Sequence, residues 1–274
     1  MSRPTKRFLS SSALVAALAA GLVCCGDGGV NAAPEPNAAA DASPEPEPPA
    51  PEGGKYEVAA VSNGGTLTGT VTWQGPVPDK KTIAVTKDGE TCGHEKPNQE
   101  ILVGANKTLK NAVVSIDGIK SGEAFKADAP IVFDQKECLF LHHVAVVPTG
   151  ATLDVRNSDD ILHNTHFNAV KNKGENFAIP AGKSNSYTVK SAETIKVTCD
   201  IHPWMSSWVI VRDNPYFAVT DENGKYTIKN VPPGTYKASV WQETVGKGGV
   251  KPVDVEIKAG SDTTQNFDLK PRNP

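Results

Sequence analysis

Three residues able to bind a soft metal recur at intervals of three in the stretch Cys199-Asp-Ile-His202-Pro-Trp-Met205. A thiolate, an imidazole and a thioether would share one short loop. Thiolate and thioether favour copper, above all Cu(I), and imidazole suits copper as well. A lone Cys-x2-His pair would equally serve as half a zinc site. The thioether tips the set toward copper, and a complete site needs one more histidine from elsewhere.

The loop must be held by its flanks. Residues 194–198 and 208–211 are rich in Val, Thr and Ile and read as strands, so the three donors crowd a turn between two strands. Upstream, Val155-Arg-Asn-Ser-Asp-Asp-Ile-Leu-His163-Asn164 reads as strand, polar turn and histidine, which makes His163 the candidate fourth ligand. His166 competes with it, but three residues along a strand reverses the face. On the strand before, alternation sends His142 and His143 to opposite faces, so His143 can lie inside the sandwich, in the core or beside the metal.

Residues 144–211 resemble a cupredoxin. The loop C-x2-H-x2-M is similar to the short amicyanin type, and His163-Asn164 matches the family's upstream His-Asn pair. Cys138-Leu-Phe-Leu-His-His143, followed by Pro148-Thr-Gly150 and a second apolar run to Val155, looks like the opening of such a domain. The resemblance implies an eight-stranded Greek-key sandwich over residues 131–213. It would hold one mononuclear type 1 copper through His163, Cys199, His202 and Met205, with Met205 as the weak axial ligand that sets the potential. By the same resemblance the His202 ring edge reaches the surface as the electron's exit, with Pro203 and Trp204 as an apolar docking patch. Asn164 would brace the ligands from behind, with Thr198 and Asp200 as its partners.

Residues 217–241 read as strand, Asn-Gly turn, strand, Pro-Gly turn, strand. This resembles the carboxypeptidase regulatory-like domain, a transthyretin-like β-sandwich, and speaks to fold rather than chemistry. The opening strands of such a module are found at residues 65–74 and 112–116, before the copper region. The cupredoxin is therefore expected to be inserted in this second small sandwich, or else followed by it. The expected domains are 56–130 and 214–274 for the regulatory-like sandwich, with 131–213 between them.

The bulk numbers agree with an all-β exported protein. Gly (24) and Pro (21) are plentiful, aromatics are few (6%), and no long helical periodicity follows the N-terminus. A net charge of −3 points away from nucleic acid as a partner. Residues 1–25 read as an export signal, with Arg3, Lys6 and Arg7 before a short apolar run. It ends Leu22-Val-Cys24-Cys25-Gly26, which resembles a bacterial lipobox. Leu22 suits lipidation of Cys25, while Cys24 in the preceding position departs from the pattern and keeps both cysteines open. Residues 26–55 are a Pro/Glu/Ala-rich tether expected to be disordered. In an oxidising compartment spare cysteines pair. With Cys199 kept for metal and Cys24 and Cys25 at the anchor, Cys92 and Cys138 remain as the disulfide, the alternative being that Cys92 and His94 form part of a second metal site.

The expected protein is a lipid-anchored, monomeric electron carrier at the bacterial envelope, on the periplasmic or outer-surface side, serving redox protein partners. No second histidine cluster is seen that would hold a further catalytic copper, so no enzyme is expected. Copper storage or delivery and a structural or adhesive sandwich are the competing classes.

Overall fold

Leu67, Val71 and Trp73 alternate with more exposed residues along the Gly65–Trp73 strand, so one face of that strand is apolar and must be covered. The cover comes from the far end of the chain. In the computed structural model, which describes residues 55–77, 79, 82–125, 131–245 and 250–271, this strand pairs antiparallel with Lys225–Val231. It also pairs parallel with Asp262–Thr264 and Phe267–Leu269. The Thr68 hydroxyl donates to the Tyr226 carbonyl, 158 residues on. Facing this sheet is a second, in the order Phe217–Val219, Val113–Asp117, Gly234–Trp241, Val253–Ile257. Their shared core includes Leu67, Val71, Ile116, Tyr226, Ile257 and Phe267. Gly224 closes the turn into Lys225–Val231 at φ +67, and a Cβ there would meet the Val71 carbonyl at 2.6 Å. Only glycine suits that combination of left-handed backbone and close approach.

Between the two halves of this frame, the chain builds another sandwich. One sheet runs Leu139–Phe140, Ile131–Lys136, Thr152–Asn157, Ser184–Thr188. The other runs Val144–Pro148, Ser206–Arg212, Glu193–Thr198, His163–Asn168, Glu175–Ile179. Its core is a separate cluster in which Phe133, Phe140, Leu153, Phe167, Ile195 and Val209 are buried, with Phe167 stacked on Tyr187 at 3.9 Å. The all-β expectation holds, and the only helical elements among the described residues are Gly89–Cys92 and the 3-10 turn Ala105–Lys107.

One expected boundary needs correction. Residues 56–130 are expected in the frame, yet the hairpin Thr82–Ala84 with Glu95–Pro97, and the helical turn Gly89–Cys92 inside it, belong elsewhere. Ile83 and Val85 pack on the inserted core, and Cys92 is 2% exposed within it. The reason is covalent as well as apolar: Cys92 and Cys138 form the expected disulfide. The two sandwiches also touch directly. Glu243, just past the Gly234–Trp241 strand, accepts from Trp208 Nε1 at 2.7 Å and from His143 Nε2.

All described residues fall in the compact unit Glu47–Pro274. The signal, the cysteines Cys24 and Cys25, and the tether up to residue 54 lie outside the described residues. No helix among the described residues is long and apolar enough to cross a membrane.

Candidate metal centre

The site is built at one end of the five-stranded sheet. His163 opens the His163–Asn168 strand, and Cys199 directly follows Glu193–Thr198. These strands are neighbours, with His166 opposite Thr198, so the pairing brings His163 and Cys199 to the same end. The loop from Cys199 is short because it closes on itself. Met205 N–H donates to the His202 carbonyl at 2.9 Å, and Cys199 N–H to the Met205 carbonyl at 3.2 Å. This folds His202 back over Cys199.

The donors are buried: His163, His202 and Met205 are 0% exposed and Cys199 is 2%. Ligand atoms of His163, Cys199 and His202 lie within 4.8 Å of one another. The two Nδ1 atoms are 2.9 Å apart, and Cys199 Sγ is 3.8 Å from His202 Nδ1. Both histidines are fixed from behind. His163 Nε2–H donates to Asp159 Oδ2 at 2.8 Å, and His202 Nε2–H to Asp88 Oδ2 at 2.8 Å. A carboxylate only accepts, so each neutral ring carries its proton on Nε2 and turns an Nδ1 lone pair inward. Two lone pairs and a cysteine sulfur then face one small buried volume. Such a set is repulsive alone and is satisfied by a cation. The Nδ1 atoms are closer than twice a metal–nitrogen bond of about 2.0 Å, so both can reach one ion. Burial, opposed by the Asp159 hydrogen bond and reinforced by the facing His202, holds the His163 pKa below its usual value, favouring the neutral ligand form.

Asn164 braces the loop. Its Oδ1 accepts from Cys199 Sγ at 3.2 Å, Asp200 N–H at 2.6 Å and Ile201 N–H at 3.2 Å. Of its two expected partners, Asp200 contributes its backbone, while its carboxylate meets Asn176 and His166. Thr198 does not meet Asn164: its hydroxyl accepts from Asn168.

Other expectations are overturned. His202 does not reach the surface, because Asp88 comes against its ring edge. Trp204 is 6% exposed rather than part of a docking patch. Its Nε1–H donates to the Cys138 carbonyl at 3.0 Å and its ring lies 5.1 Å from that of His202. Of the expected patch only Pro203 is exposed. His143 is buried against Glu243 and the Ser206 carbonyl, and His166 is partly exposed against Asp200. Among the described residues, neither joins a group at ligand distance. A second such group, Cys138, Asp159 and His163, shares His163 with the first, and its cysteine is already bonded to Cys92.

Asp159 and Asp88 were missed by sequence reasoning. Asp159 had a signal: it lies four residues before His163, in the polar turn that leads to that histidine. Its turn is pinned by Asn157, which donates to the carbonyls of Ile161 and Ile179 and accepts from Asp159 N–H. Asp88, 114 residues from His202, had none.

Comparison with known proteins gives partial likenesses. The profile of polysaccharide lyase family 4, domain II, a β-sandwich, matches residues 202–265. The regulatory-like resemblance read at residues 217–241 therefore falls within the match to a differently named sandwich family. No curated protein matches the chain. Among solved structures, a reduced Cu(I) form of an amicyanin variant is 28% identical, covering 32% of this chain and 86% of that one, at a TM-score of 0.28. Amicyanin from Paracoccus versutus is 22% identical over 32% of this chain and 86% of its own, at 0.27. A copper-containing nitrite reductase from Thermus scotoductus SA-01 is 17% identical over 32% of this chain and 23% of its own, at 0.30.

Proposed function

We propose that this chain is a lipid-anchored envelope protein that carries single electrons, with one copper held by His163, Cys199, His202 and Met205. One observation carries the reading: two imidazoles, each held from behind by a carboxylate, turn Nδ1 lone pairs toward each other beside a buried cysteine sulfur. A His2Cys set with a nearby thioether suits copper among the first-row metals. When bound, the metal supplies a one-electron Cu(II)/Cu(I) couple. The protein's own part is to keep the donors in place. His163 and Cys199 sit on paired strands of one sheet, and Asn164 ties the loop between Cys199 and His202 to the His163 strand. Small rearrangement between oxidation states follows from that rigidity. The reading includes redox protein partners, a monomer, and no catalytic role.

A second reading, copper storage or delivery, is favoured by the complete burial of His202, which lengthens any electron path through its ring edge. The test is titration of the purified full chain with Cu(II), followed by voltammetry. An intense thiolate-to-copper band that Cys199→Ser abolishes, together with a reversible couple, is the expected result. Copper uptake without a reversible couple favours the storage reading. A colourless protein that prefers Zn(II) overturns both.

A further inference from the structure

The carboxylate behind His202 comes from outside the two sheets that build the ligand-bearing sandwich. Asp88 lies in the hairpin that also holds the Gly89–Cys92 turn, and its backbone is left-handed at φ 52, ψ 38. That conformation is disfavoured for residues other than glycine, though aspartate tolerates it better than most. It persists because the Asp88 carbonyl accepts from Thr91 and Cys92 N–H at 3.0 and 2.9 Å. The residue is therefore both the start of a helical turn and the partner of a buried histidine. Its carboxylate makes no bond to the turn and is left to meet His202 Nε2.

The disulfide connects this residue to the other half of the site. Cys92 is bonded to Cys138, and Cys138 N–H donates to Asp159 Oδ2 at 2.7 Å. The same Asp159 oxygen accepts from His163 Nε2. From one histidine to the other there is an unbroken path: His202, Asp88, one helical turn, the disulfide, the Cys138 amide, Asp159, His163. Trp204 closes the loop's other side by donating to the Cys138 carbonyl. The Asp88 side chain is itself 39% exposed while His202 is fully buried, so the carboxylate stands where water would otherwise meet the ring edge.

We infer that Asp88 is a positioning residue of the metal centre, locked against His202 by the Cys92–Cys138 disulfide, so that the hairpin serves as a lid over the ligand that would otherwise face solvent. The inference rests on the copper reading above. Outer carboxylates on ligating histidines orient the ring and raise its basicity, and losing one typically weakens metal binding 10–100-fold. Removing a negative charge beside the centre also disfavours Cu(II) relative to Cu(I), which raises the potential.

The experiment compares the full chain with Asp88→Asn, Asp88→Ala and the paired Cys92→Ser/Cys138→Ser variant. Copper affinity is measured by chelator competition, with release rate and reduction potential alongside. Solvent exchange of the His202 Nε2 proton is followed by NMR in the metal-free protein. Asp88→Ala is expected to weaken copper binding roughly 10–100-fold, to raise the potential and to speed exchange of that proton. Asp88→Asn, which keeps an acceptor, gives the smaller loss, and the disulfide variant moves in the same direction as Asp88→Ala. If the wild-type chain binds no copper, the copper reading falls and this inference with it. If wild type binds copper but both Asp88 variants keep its affinity, potential and proton exchange, only the lid is overturned. The lid falls in that case even if the disulfide variant loses metal, since the loss would then come from general loosening.

Discussion

The two sandwiches bury polar groups in different ways. In the frame, the few that are buried make single links between segments far apart in sequence: Thr220 to the Leu109 carbonyl, Gln242 to the Glu100 carbonyl, Ser115 to Ser239. The inserted sandwich buries His163, His202, Asn157, Asn164, Gln135, Thr165 and Ser207, several of them around the ligand end. Gln135 Oε1 and Thr165 Oγ1 there have no hydrogen-bond partner among the described residues. Burying polar groups is unfavourable unless they are bonded, and an unpaired one costs about 1–3 kcal/mol. A sandwich meant only to be stable would not gather them. The frame is a scaffold of aliphatic and aromatic packing, and the insert gives up some stability to hold a set of donors.

The largest effect is expected in the frame. Leu67 is fully buried in a core cluster that contains no candidate ligand. Leu67→Ala removes its packing and should lower stability by about 2–5 kcal/mol, read from denaturant unfolding. Copper affinity measured under folded conditions should stay as in wild type. A parallel tenfold fall in affinity would mean that the two cores are not separable, and that the contacts of Glu243 with Trp208 and His143 couple them.

What the sequence revealed and what it concealed follow a physical line. Cys199, His202 and Met205 are legible because a single loop carries them, and His163-Asn164 because it ends a recognisable strand and turn. The disulfide is legible by elimination, since setting Cys199 aside as a candidate ligand and Cys24 and Cys25 at the expected anchor leaves only Cys92 and Cys138. The strand at residues 65–73 is legible by alternation, and the one at 113–117 as a short run rich in apolar residues, four of its five residues being buried. Contacts between distant segments are what escape. Nothing in Lys87-Asp88-Gly89 marks Asp88 as the partner of a residue 114 positions away. His202 meets Asp88 of that hairpin and Trp204 meets the carbonyl of disulfide-bonded Cys138, so the surface positions that the cupredoxin resemblance implied for both are not kept. A sequence pattern shows which face of its own strand a residue takes, not which other segment will lie on top.

A smaller effect is expected within the insert. Glu193 accepts from the backbone N–H groups of Val170, Lys171 and Asn172 and from the Asn172 side chain. Burial pushes its pKa up, but these four bonds outweigh it and hold the carboxyl below its usual range. A depressed folded pKa contributes stability that is full above the unfolded value of 4.5 and is lost as pH falls through the folded value. Glu193→Gln should therefore cost about 1–2 kcal/mol at neutral pH, the low end for charge-assisted bonds because the group is only partly buried. The difference from wild type should shrink steadily below pH 4.5. A gap that stays constant as the pH falls well below that value would assign the effect to shape rather than charge.

The smallest expected effect decides between two histidines. His166 stands directly opposite Thr198, the residue before Cys199, so by sequence and by strand register it looks as near the centre as His163. Strand alternation separates them. His163 is fully buried with Nδ1 turned to His202, whereas the His166 side chain is 37% exposed and meets the half-exposed Asp200 carboxylate at 3.2 Å. A contact between two such exposed groups is worth about 0–1 kcal/mol. His166→Ala should leave the thiolate-to-copper band and the potential as in wild type and shift stability by less than about 1 kcal/mol. His163→Ala removes one of the two facing Nδ1 donors and should bleach the protein. The opposite pattern, with His166→Ala bleached and His163→Ala still blue, would require the His163–Asn168 strand to slip by three residues, an odd number, against Glu193–Thr198. Such a slip reverses the face of every side chain on the strand. It would expose Phe167, now buried and stacked on Tyr187, so the two variants test the strand register together with the ligand set.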